Sequence, residues 1–269
     1  MRSYLLLLIG SSLIGALAGC GGDKSGCSVD DDCVVGDVCV NGQCRALAGA
    51  DLSGVVGDLG AGGDLATPIP DGWNPDALTA SCSFNADALL YTCTKVAEGK
   101  TVVKSYQFLD ASSKAMERFI RGTTESVHYL VKTDGSEARD NYTTASHSLR
   151  DVTVSGFLGP NRVWNGFGSS ADTNSYKDEL STRKYTGLSA DTLTAVTFVD
   201  ERSTHPYPLS GVAVRVVDYS AVSTGKQVET TTVHRRVVVT FNGTADVPIS
   251  LGDYACVLHL DTHKVDGCR

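Results

Sequence analysis

Along the C-terminal three-quarters of the chain, apolar and polar positions alternate with a period of two, the signature of half-buried strands. In "TLTAVTFVDERS" Leu193, Ala195, Thr197 and Val199 fall on one face, and Thr194, Val196 and Phe198 on the other. "GVAVRVVDYSAV" sets Val212, Val214 and Val216 opposite Arg215, and "HRRVVVTFNG" sets Val237, Val239 and Phe241 opposite Val238 and Thr240. Turn signals divide these runs: Asp134-Gly135, Gly159-Pro160-Asn161, Gly187, Thr224-Gly225, Asn242-Gly243 and Asp266-Gly267. No long stretch keeps a clean helical period, and only Ser112 to Arg121 could be a short helix. Residues 73–269 therefore read as an all-β domain: an antiparallel meander, a sandwich or an open barrel. Its length is enough for a sizeable core.

The chain before Trp73 has a different texture. Arg2 followed by an apolar run from Leu5 to Leu17 has the form of a secretory signal, too short for a spanning helix. From Ala46 to Gly72 Gly, Ala and Asp dominate, which is the composition of a flexible tether; random-coil scaling gives it a root-mean-square span of roughly 30 Å. Nine acidic side chains and only Lys24 and Arg45 lie in residues 20–72, a net of −7 out of −8 for the whole chain. That charge disfavours nucleic acid as a partner and keeps the arm off anionic lipid. Asp30-Asp31-Asp32 lacks the alternating ligands and central Gly of an EF-hand loop, and reads as a solvated turn.

Cysteine number sharpens this division, because nine is odd. Leu17-Ala18-Gly19-Cys20 resembles the lipobox of bacterial lipoproteins. The resemblance implies a signal peptide at 1–19, cleavage before Cys20, a diacylglycerol on its sulfur and acylation (palmitate or a similar chain) of the new amino terminus. Several acyl chains hold a protein on a membrane without a second signal. Gly21-Gly22, in place of the Asp that retains lipoproteins in the inner membrane, implies the outer membrane, facing the periplasm or the cell surface. Cys27, Cys33, Cys39 and Cys44 in "CSVDDDCVVGDVCVNGQC" resemble a short Dickkopf-like cysteine-rich motif, making 20–45 a disulfide-rich module. The spacing lacks the close pairs of zinc knuckles, and an oxidising compartment favours disulfides. Of three possible pairings, 27 with 39 and 33 with 44 is the one adopted. Cys82 with Cys93 and Cys256 with Cys268 would each close a hairpin-sized loop, and 82 with 268 plus 93 with 256 is the alternative. Eight cysteines pair and Cys20 carries lipid.

Chemistry is sparse. No G-x-S-x-G, H-E-x-x-H or phosphate-cradling loop occurs, and "GFGSS" at 166–170 lacks a strand-to-helix context. His259, Asp261 and His263 in "HLDTHK" would share one face of a strand, the best metal candidate, although same-face neighbours stand about 7 Å apart. His205, between Thr204 and Pro206, reads as an edge turn. Trp164, Phe167 and Tyr207, beside Gly or Pro, are candidate binding aromatics. The sequence thus predicts a membrane-anchored envelope lipoprotein whose β domain binds a protein or carbohydrate partner or serves structure, without enzymatic activity or cofactor. Two alternatives stand beside it: an envelope hydrolase with a metal near His259, and a closed barrel holding a small apolar ligand.

Overall fold

A computed structural model describes residues 37–40, 43–46, 82–97, 99–177, 182–200, 205–224, 228–262 and 264–269. The signal, Cys20, Cys27, Cys33, the Asp30–Asp32 run, the tether from 47 to 72 and His263 lie outside the described residues. Near the N-terminus β1 (Asp37–Val40) and β2 (Gln43–Ala46) form an antiparallel pair with Cys39 opposite Cys44 in register.

All other strands belong to one antiparallel sheet of 13 strands that does not close into a barrel. In chain order they are β3 (Ser83–Asn85), β4 (Leu90–Ala97), β5 (Lys100–Asp110), β6 (Ala115–Met116), β7 (Thr124–Arg139), β8 (Tyr142–Ser155), β9 (Asn161–Lys177), β10 (Thr182–Val199), β11 (Ser210–Thr224), β12 (Val228–Phe241), β13 (Asp246–Leu251), β14 (Tyr254–His259) and β15 (Lys264–Asp266). Strands are neighbours in sequence order, a meander, with β6 set against β5. Both edges are three-residue strands, and each is stapled to its neighbour's side of the sheet by a disulfide, Cys82–Cys93 at one edge and Cys256–Cys268 at the other. These two strands are too short to template pairing with another chain, whereas residues 228–236 of β12 are paired, among the described residues, on the β11 side alone.

The central strands are long; β10 runs for 18 residues, about 60 Å at the usual rise. Their core sits at one end only. Val127, Val237, Val239, Val247 and Leu258 are wholly buried, which a flat single layer cannot achieve, so the sheet must roll over itself there. One cluster joins β8 to β14, including Trp164, Phe198 and Leu258, and a second gathers Tyr91, Tyr106, Phe108, Val127 and Tyr129. Phe157 packs against both.

Three local expectations change. Ser112 to Arg121 forms a hairpin instead of a helix. The Asp110 carboxylate accepts hydrogen bonds from the backbone N–H groups of Ser112 and Lys114, much as a helix cap would. Ser113, however, turns left-handed at φ 63°, and Met116 comes back opposite Phe108. Asp134-Gly135 and Gly187 are not turns but strand interiors: Gly135 pairs with Lys100 on one side and Ser146 on the other. Gly187 likewise pairs with Asp172 and Tyr219. Two-sided pairing compensates for the weak strand preference of glycine.

The third change is a β-bulge. Between Leu193 and Val196 strand β10 carries one residue more than its partners, with Ala195 at φ 50°. The Asn165 side-chain oxygen accepts the Ala195 N–H at 2.8 Å. The extra residue reverses the alternation, so Leu193, Val196 and Phe198 are all buried together instead of lying on opposite faces. Gly211 faces the bulge at φ 109°; a side chain there would run into the backbone of Ala195 and Val196.

Candidate functional site

On the rolled face, register converts separate strand sequences into three successive rungs across the sheet. The innermost is apolar: Tyr106, Tyr129, Val152, Leu193, Ala213 and Val239 stand side by side, with Gly166 between Val152 and Leu193. Burial pushes the Tyr106 phenol above its ordinary pKa, a shift partly opposed by its hydrogen bond with Tyr129.

One step outward the rung is ionic: Lys104, Val131, Arg150, Gly168, Asp191 and Arg215 are consecutive cross-strand neighbours. Asp191 is 5% exposed and pairs with Arg215 Nε at 3.2 Å. Such a buried carboxylate is tolerable only with a compensating cation. Gly168 lets a second cation approach it. A methyl group at that glycine would touch Asp191 Oδ2 at 3.5 Å and Arg150 Nε at 3.7 Å, so the two side chains lean over the glycine from either side. One carboxylate between two guanidiniums leaves a positive charge in excess, and Lys104 adds another.

The next rung outward carries hydroxyls on four adjacent strands: Thr133, Ser148, Ser170 and Ser189. Ser170 and Ser189 share a hydrogen bond of 2.9 Å, and Ser170 donates to Asp172 at 3.2 Å. Above the ionic and hydroxyl rungs lies an open trough of about 480 Å³, floored at its inner end by Tyr129 and Val131. That volume falls in the range of small-molecule sites. Arrayed cations beside a row of hydroxyls can neutralise an anion and exchange hydrogen bonds with a polyol.

The residues singled out in sequence take other places. Trp164 is 2% exposed, packed on Phe198 at 5.4 Å between ring centres, and so belongs to the core. Tyr207 is half-buried against the same cluster. Phe167 is 51% exposed and, at odd parity between Gly166 and Gly168, projects from the face away from the trough. His205 is exposed outside any strand.

His259 and Asp261 do not share a strand face, and His263 lies outside the described residues. Strand β14 ends at His259; Leu260 is still buried at 2% exposed, but residues 260–262 form a turn and Asp261 lies in it. His259 Nδ1 is 2.6 Å from an Asp246 oxygen and Nε2 is 3.1 Å from an Asp266 oxygen. Hydrogen bonds to Asp246 and then to Asp266 hold the imidazole pKa above its ordinary value, favouring the doubly protonated ring that donates to both. The two carboxylates sit on opposite ring nitrogens and do not converge on one point. Among the described residues no group of three or more such side chains is set to enclose a metal ion.

The trough residues were missed in the sequence because no one strand contains them. Arg215, isolated among valines on a strand that runs through the core, was the available signal. No protein-family model, no curated protein and no solved structure matches the chain.

Proposed function

We propose that the chain is a cell-envelope lipoprotein of the outer membrane, acylated at Cys20, whose β domain is a non-catalytic binding module held on an acidic stalk. The observation that carries the binding part is the trough, where a buried ion pair, further cations and a hydroxyl row converge on one concave face. The anchoring part rests on Leu17-Ala18-Gly19-Cys20 and on the net charge of −7 in residues 20–72, which suits a spacer standing off an anionic surface. Reach matters to a module that must meet a partner away from its membrane.

Membrane fractionation and intact-mass spectrometry of the expressed chain test this reading. A product beginning at Cys20, heavier by a diacylglycerol and an acyl chain and found with outer membranes, is the expected result. The Cys20→Ser variant should move to the soluble fraction. An unmodified Cys20, or a chain that keeps residues 1–19, would overturn it.

A further inference from the structure

We infer that the trough binds a small polyhydroxylated carboxylate, a sugar acid of the uronate class. This names the ligand of the binding module proposed above and rests on that reading.

Charge and hydroxyl placement together narrow the ligand. The chain is acidic, at −8, yet the trough places Lys104, Arg150 and Arg215 against Asp172 and Asp191. Asp191 is committed to Arg215 on its own rung, and Asp172 accepts from Ser170. Lys104 makes no ion pair or side-chain hydrogen bond among the described residues. It stands two strands from Arg150, about 10 Å across the sheet, with only Val131 between them. A carboxylate seated above Val131 lies between those two cations.

Roughly 7 Å farther along the strands, Thr133 and Ser148 occupy the next same-face positions, at the distance of the far hydroxyls of a sugar ring. Each ligand class uses a different share of these groups. A neutral sugar engages the hydroxyl row but leaves Lys104 uncompensated. Inorganic phosphate satisfies the cations and uses little of the row. A uronate uses both, its carboxylate between the cations and its ring hydroxyls on the row of Thr133 and Ser148.

Titration calorimetry on the purified full chain at low salt, with D-glucuronate, D-glucose and inorganic phosphate as probes, tests this. Glucuronate should bind, with glucose and phosphate each weaker by on the order of tenfold, the scale of one charge-assisted contact. Lys104→Met should weaken glucuronate by about tenfold while leaving glucose unchanged, and Ser148→Ala should weaken both sugars by about threefold. No binding of glucuronate, indifference to Lys104→Met, or phosphate binding as tightly as glucuronate would each overturn the assignment. Lys104 is exposed, so its substitution spares the fold, and circular dichroism of each variant checks this. The mass of Cys20 is read on the same preparation, so failure of the trough and failure of the lipoprotein reading are separate results.

Discussion

On β10, Leu193, Val196 and Phe198 are buried, whereas Thr182 to Ala190 on the same strand present hydroxyls, a glycine and an exposed Leu188. The outer stretch is paired on both sides along its whole length, and so is Leu193, while Val196 and Phe198, past the bulge, are paired to β9. The same contrast runs across the middle of the sheet: outward of the ionic rung, Val233 is the only buried hydrophobic residue among the described residues of β7 to β12. Backbone pairing is thus common to both ends, and what differs is burial. The inner end gains hydrophobic stabilisation. The outer end relies on its ladder and on cross-strand pairs such as His147 with Asp134, His234 with Asp218, and the stacked rings of Tyr185 and Tyr219. Such pairs contribute only about 0.2–1 kcal/mol each. Asp191 and Arg215 mark the frontier, where burial still applies but the side chains are charged.

The sharpest way to expose this asymmetry is to truncate one aromatic at each end. Trp164→Ala should cost about 3–5 kcal/mol, enough to leave a marginal domain unfolded at ambient temperature. Tyr185→Ala should cost about 0.5–1.5 kcal/mol through its lost partner Tyr219. Urea unfolding of both variants measures the ratio; equal losses would mean that the outer end carries a core of its own.

At the frontier, Asp191→Asn leaves Arg215 buried without its countercharge and should cost about 3–5 kcal/mol. Replacing both by leucine should restore most of that, since a buried ion pair gives little net stability over packed apolar groups. If the double variant is as unstable as the single one, the pair is holding the local geometry and not merely its own charges.

Acidity supplies a gentler probe near the β14 edge. Because the folded pKa of His259 is raised above 6.5, its bonds to Asp246 and Asp266 contribute stability fully below about pH 6.5, and that contribution fades as pH rises through the folded value. Thermal midpoints should therefore fall from pH 6 to pH 8.5 more steeply in the native chain than in His259→Gln; parallel slopes would contradict it. Smallest of all, a double-mutant cycle on exposed His147 and Asp134 should give a coupling of about 0.2–1 kcal/mol that shrinks with added salt.

Period-two alternation made the strands legible, and the valine faces of β12 were read as they stand: Val237, Val239 and Phe241 are buried together. Glycine was the main source of error, since Gly135 and Gly187 carry a turn signal in isolation yet sit inside strands whose two neighbours supply the missing preference. The bulge at Ala195 was illegible for a related reason. One inserted residue is invisible until a partner strand fixes the count, and it moved Val196 and Phe198 to the face of Leu193. The trough was least legible. Arg150, Gly168, Asp191 and Arg215 lie on four strands, and only register makes them neighbours. Trp164 and Tyr207, beside Gly or Pro, read as aromatics exposed on a β surface, whereas Trp164 is buried in the core and Tyr207 is half-buried against it.

Native-state hydrogen exchange, resolved to single amides, tests most directly the claim that one continuous sheet is stabilised at one end. Amides of paired residues at the inner end, such as those of Val127, Val152 and Val239, should exchange only on global unfolding, while those of Thr144, Thr186 and Ser220 exchange through local openings of much lower free energy. Protection should fall off at the rung of Asp191 and Arg215. Uniform protection along the full length of β8 to β11 would contradict the account.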